Sequence, residues 1–224
     1  MTNEIPSTPA AGKGDAVHAV AKAGLSMIPL LGGPAVELFQ AVVQPPLEKR
    51  RTEWMDAVGS KLVELEANGL NVASLQNNDE FITVVMQATQ AAMRSHNLAK
   101  REALANAILN VAVGQAPDET EQHLLLGFID TLTEMHLRIL KVFQNPSPPA
   151  GISMGGLSLV LEQSIPSLRG RRDMYEQLWK DLYIRGLINT EGFNATMSAS
   201  GLGERRTTAL GDALIRFTSE PVLS

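Results

Sequence analysis

The residues whose types and spacing could do chemistry are few in this chain, and each set is missing a part. Gly151-Ile152-Ser153-Met154-Gly155 has the G-x-S-x-G spacing of a nucleophile elbow. That device needs a strand before the serine, a helix after it, and an acid and a histidine later in the chain. No histidine follows His136, and the residues ahead of the serine read as a helix and a proline loop, so a linker explains the pattern better. The four histidines, His18, His96, His123 and His136, form no H-E-x-x-H and no E-x-x-H pair of the kind that di-metal bundles use. Glu119 and His123 stand one helical turn apart and could hold an ion weakly, but a metal site also needs ligands converging from other helices. Surface or capping roles suit them better. Carboxylate pairs such as Glu64/Glu66 and Asp118/Glu119 fall on expected solvent faces or caps, whereas a tuned acid–base dyad needs burial or a close like charge. Gly12-Lys13-Gly14 lacks the spacing and hydroxyl of a P-loop, and Gly201-Leu202-Gly203 has no strand-to-helix context. These residues imply no catalytic group, cofactor, metal or small-molecule substrate.

The elements that would have to position any site come from a chain of 224 residues that is 44% hydrophobic, enough to form cores by folding alone. With no cysteine, disulfides, thiolate zinc sites and thiol nucleophiles are all excluded, which fits a reducing compartment. The net charge is −5. Residues 1–150 carry 11 Lys/Arg against 16 Asp/Glu, and residues 151–224 carry 8 against 8. Neither part has the positive footprint of a typical nucleic-acid binder. The first residues show no basic stretch leading into an apolar core, so a secretory signal is not expected and a cytoplasmic location is.

Three regions are expected: a polar, mobile stretch over 1–13, a helical region over 14–130, and a different kind of unit over 131–224. Asp15 can cap an Ala-rich helix over Ala16–Met27. The turn Ile28-Pro29-Leu30-Leu31-Gly32-Gly33-Pro34 then makes an apolar hairpin with a helix over Ala35–Val43. Its longest uncharged run, Ala23–Val36, has 14 residues, short of the roughly 20 that span a bilayer. Pro45-Pro46 should end that segment, and Leu47 should open an amphipathic helix to Ala67 with Trp54, Val58, Leu62 and Leu65 on one stripe. Asn68-Gly69 stops it, and Asn78 caps the next helix. Leu98–Val113 is apolar nearly all round and should be central. Asp118 and Glu121 have capping-box spacing. The helix that starts there either runs to Phe143, about 39 Å at ~1.5 Å per residue, or breaks near 130 with Thr133 capping a shorter second helix. Asn145–Gly151 is a Pro/Gly loop. Helices over Leu157–Gln163 and Arg171–Arg185 follow, then a strand at Leu187–Asn189, an irregular stretch over 191–204, a second strand over Arg206–Leu210 and a closing helix through Phe217.

That order, carried by DLYIRGLINT, a loose loop and RTTALGDALIRF, resembles a winged helix over about 131–218. The clearest cue is RGLI followed some twenty residues later by T-x-L-G. The front half, with its IPLLGGP turn and PPLEKRRTEW helix, is similar to uncharacterised bacterial proteins that join a helical region to such a tail. The expected fold is therefore mainly α, an N-terminal helical region packed with a C-terminal winged-helix-like module that contains a small β-hairpin. The resemblance implies a DNA-binding alternative, with the third helix in the major groove and the wing against phosphates. The matching positions are Arg169, Arg171, Arg172, Gln177 and Lys180 on or before the helix, and Arg205 and Arg206 for the wing. Asp173, Glu176 and Asp181 offset Arg172, Lys180 and Arg185 along that helix, which leaves little counterion release to drive binding.

Lys49-Arg50-Arg51 follows the apolar hairpin, so a membrane-surface alternative would use Ile28, Leu30 and Leu31 with that basic triplet. Glu48 and Glu53 flank it, and a solvated helix face is the plainer reading. The leading expectation is a non-catalytic cytoplasmic interaction protein that docks a protein partner or a second copy of itself.

Overall fold

The computed structural model of the chain describes residues 34–193 and 195–222. The expectations for 1–13, for the Asp15-capped helix and for the turn bearing Ile28, Leu30 and Leu31 lie outside the described residues. The described chain is mainly α with one small antiparallel sheet. It divides into two units, one ending at Arg51 and one beginning at Thr52.

Helix α1 (Pro34–Ala67) carries Pro45 and Pro46 within it, so the expected helix end at the proline pair is corrected. Two prolines remove the N–H groups that would bond the carbonyls of Ala41 and Val42. Both residues are exposed, so water can take those carbonyls and the helix continues through the pair.

In the second unit, the later turns of α1 bury Trp54, Val58 and Leu65 of the expected stripe and half-bury its fourth member, Leu62, and the Trp54 indole N–H donates to Thr89 Oγ1 at 3.1 Å. Gly69 ends the helix in the left-handed region at φ 100°, where a side chain would be strained. A 3-10 turn (Val72–Asn77) leads to α2 (Asp79–Arg94), whose first turn is capped by Asn78 Oδ1 accepting from Phe81 N at 2.9 Å. Helix α3 (Leu98–Ala112) is the central one: every residue from Ala103 to Ala112 is buried, although Leu98 at its start is 72% exposed. Helix α4 (Glu119–Thr131) packs on α2 and α3.

The segment after α4 is broken, and α5 (Glu134–Gln144) is a separate helix. Leu132 and Thr133 leave helical geometry, with ψ values of 148° and 163°. Leu132 buries its side chain at the break, and Thr133 starts α5. Helices α6 (Leu157–Ser164) and α7 (Arg172–Ile184) follow, and α5 packs on both. The last helix, α9 (Ala209–Phe217), packs on α5 and on α3.

Two pairings join the loops between these helices. One is the expected return, reduced to a single antiparallel bridge between Ile188 and Thr207; Asn189 N donates to Arg206 O at 2.9 Å and Thr208 N to Leu187 O at 3.1 Å. The other is a two-stranded sheet, β1 (Met154–Gly155) against β2 (Met197–Ser198), in stretches expected to be a loop and irregular chain. Phe193, within the second of those stretches, is buried against Phe143, Tyr175 and Trp179 at centroid distances of 6.0, 5.3 and 4.4 Å. A short helix α8 (Ala199–Leu202) then carries Leu202 into the core.

Candidate functional site

Of the residues implied for a nucleic-acid surface, most of the cations already have an internal partner. Arg169 Nε–H donates to the Glu162 carbonyl at 3.2 Å. Arg172 pairs with Glu176 one turn on, at 2.8 Å, and that contact raises the guanidinium's proton affinity further. Gln177 Nε2 donates to Asp181 Oδ1 at 2.8 Å. Arg171, just before α7, and Lys180, on it, are exposed. Arg205 Nη1 lies 3.0 Å from Asp212 Oδ2. Arg206 is only 9% exposed; its Nη2 donates to the Gly201 carbonyl and to Met197 Sδ, and Glu204 Oε2 is 3.5 Å away. That guanidinium pins the loop carrying β2 and α8 and does not face outward as a phosphate contact would.

The membrane-surface residues within the described chain, Lys49, Arg50 and Arg51, lie on α1 after its proline pair. Ahead of them the helix presents a row of bare hydrocarbon: Leu38 is 68% and Val42 64% exposed. Among the described side chains from 37 to 50 none is buried.

A groove runs between α2 and α4 as two adjoining clefts of about 300 and 220 Å³ that share Gln87, His123 and Leu126. Its floor is Val84, Ala91, Leu104 and Leu126, and its rim includes Glu80, Glu119, Arg94 and Asp130. The Gln87 amide donates to His123 Nδ1 at 3.2 Å, so that ring is already oriented by a neutral side chain. At the far end Lys100 Nζ donates to the Asp130 carbonyl, the last-turn role expected of a cation. Burial lowers the proton affinity of Lys100 despite Asp130 nearby. No group of three or more His, Asp or Glu side chains suited to a metal occurs among the described residues. Ser153 precedes a strand, the reverse of a nucleophile elbow, and its carbonyl accepts from Ala199 N at 3.0 Å.

Three further polar side chains are buried and hydrogen-bonded. Asp212, 7% exposed, accepts from Thr207 Oγ1 at 2.7 Å and Gln144 Nε2 at 3.0 Å as well as pairing with Arg205. Gln122, 2% exposed, donates to Glu80 and to the Pro117 carbonyl. His136, 4% exposed, takes the Thr133 backbone N–H on Nδ1 at 3.0 Å. Only His136 had a sequence signal, its place three residues after Thr133 where a capping box carries Glu or Gln. No protein-family model, curated protein or solved structure matches the chain.

Proposed function

We propose that this is a non-catalytic cytoplasmic interaction protein that docks a protein partner, or a second copy of itself, through the helical segment 34–51. Its C-terminal part, winged-helix-like in the order of its elements, serves as a platform in this reading and not as a DNA reader. The observation that carries it is the bare row on α1. Leu38 and Val42 point their hydrocarbon into water at 68% and 64% exposure, and Glu37 is the one charge between Pro34 and Glu48. Burying such a side chain is worth ~1.5–3 kcal/mol, and contiguous exposed apolar surface marks interaction sites. The paired arginines of α7 and of the loop before α9 support the same choice, because a cation already neutralised releases few counterions on meeting a phosphate.

The test is sedimentation of the full chain over a range of concentrations, beside L38E/V42E. Wild type should associate with rising concentration, or co-sediment with a captured partner, and the variant should do neither while keeping its helical circular dichroism. A wild type that stays monomeric and captures nothing sinks the proposal.

A second reading, attachment to an anionic membrane surface, is favoured by the basic triplet Lys49–Arg51 placed two turns after Val42. Three cations near such a surface contribute ~1 kcal/mol each. Flotation with anionic vesicles but not with neutral ones would replace a protein partner by a lipid surface.

A further inference from the structure

The buried histidine at the break between α4 and α5 sits where two structural duties compete for one ring. His136 Nδ1 accepts the Thr133 backbone N–H at 3.0 Å, and Thr133 Oγ1 is 2.8 Å from the same nitrogen. A nitrogen that accepts from an amide carries no proton, so the neutral ring holds its proton on Nε2. Nε2 lies 3.4 Å from Asp181 Oδ2 of α7, in attractive range but without hydrogen-bond alignment, and it is shut off from solvent with no other partner.

We propose that His136 is a proton-responsive coupling that exchanges the N-terminal cap of α5 for an ion pair with α7. Adding one proton from solvent to Nδ1 turns that nitrogen from an acceptor into a donor. The Thr133 hydroxyl can rotate and accept from the new N–H, so their contact survives with its direction reversed. The Thr133 backbone N–H cannot rotate and loses its partner. On the other side of the ring the new positive charge strengthens the attraction to Asp181. The same Asp181 holds Gln177 through Oδ1, so the outer side of α7 is tied to the protonation state.

The groups facing the ring set the direction. Burial disfavours the charged form most, Asp181 favours it, and Arg185, one turn further along α7, opposes it; the result is a proton affinity below the ordinary histidine value. The start of α5 adds a further penalty, because a cation at a helix N-terminus meets the wrong end of the dipole. On α6 and α9, the other helices packed on α5, Glu162 is engaged by Tyr175, Asp212 by Gln144, Thr207 and Arg205, and Arg216 is exposed. Glu134 on α5 itself accepts from Asn97. Since the folded ring binds its proton less readily than the unfolded one, the stabilisation is fully present above pH ~6.5 and is lost as pH falls through the folded value.

The experiment is an NMR pH titration of the full chain, reading the His136 ring nitrogens and the exchange protection of the Thr133 amide, with H136Q and D181N in parallel. Glutamine completes a capping box with threonine three residues before it and does not titrate. Wild type should show the Nε2–H tautomer at neutral pH, then lose Thr133 protection by about tenfold as the ring titrates. H136Q should keep that protection throughout, and D181N should move the ring's titration to lower pH. An Nδ1–H tautomer at neutral pH, Thr133 protection that persists through the titration, or an equal loss in H136Q would each overturn the proposal. Should H136Q not fold, the wild-type amide and the D181N shift decide it alone.

Discussion

Asn106 and Asn110 stand one turn apart on the fully buried stretch of α3, and each is 4% exposed. Their amides are the donors that the carbonyls ending α9 would otherwise lack: Asn106 Nδ2 reaches Thr218 O at 3.0 Å, and Asn110 Nδ2 reaches Phe217 O at 3.2 Å and Ser219 O at 2.8 Å. Lys61 closes the arrangement by donating to Asn106 Oδ1 and pairing with Glu220. A buried carbonyl left without a donor costs ~1–3 kcal/mol. Asn110→Ala is therefore expected to lower the unfolding free energy by about that much, read as a lower urea midpoint with unchanged slope. The burial of α3 was legible in its run of Ala, Leu, Ile and Val. The carbonyls at the end of α9 that its asparagines serve were not, because those lie more than 100 residues away in the chain. Two asparagines at i, i+4 on an otherwise buried helix are nevertheless a signal that a helix end or loop must meet them.

The spacing RGLI…T-x-L-G has a mechanical meaning at the level of the elements. Gly186, at φ 69°, turns the chain out of α7. Thr208 N donates to Leu187 O, Thr208 Oγ1 donates to Gly186 O at 2.6 Å, and the same hydroxyl caps α9 by accepting from Gly211 N at 3.0 Å. Gly211 is needed because a Cβ there would run into the Leu187 carbonyl oxygen. Gly211→Ala should thus cost about 1–3 kcal/mol by forcing the bridge and α9 apart, and the check is chemical denaturation with the wild type as reference. Local signals such as caps, glycines and apolar stripes were readable, and Asn78 and Asp118 cap as expected; Thr208, expected within a strand over Arg206–Leu210, instead caps α9, which begins at Ala209. Two features were not readable, and both depend on what surrounds the backbone. Pro45-Pro46 stays helical where solvent can take the freed carbonyls, and β1 meets β2 where buried Phe193 and the Arg206 guanidinium anchor the chain near β2.

Across the whole molecule, the balance of charge is local as well as global. Arg172, Arg205 and Arg206 each have an acid within 3.5 Å, and Lys180 on α7 and Arg171 just before it are exposed. Fluorescence anisotropy with duplex DNA at low salt is expected to show no binding; affinity that falls steeply with added salt would favour the DNA reading. Among the described residues no helix is long and apolar enough to cross a membrane. Function itself was the least legible property, since an interaction surface needs only exposed hydrocarbon and carries no fixed spacing of reactive groups.

The most direct measurement is hydrogen–deuterium exchange along α1 in dilute and in concentrated or partner-loaded protein. If the helical segment 34–51 is the docking element, amides from 37 to 50 gain protection on association while those of α3 do not change. Association that leaves 37–50 unchanged and protects another face would contradict the account.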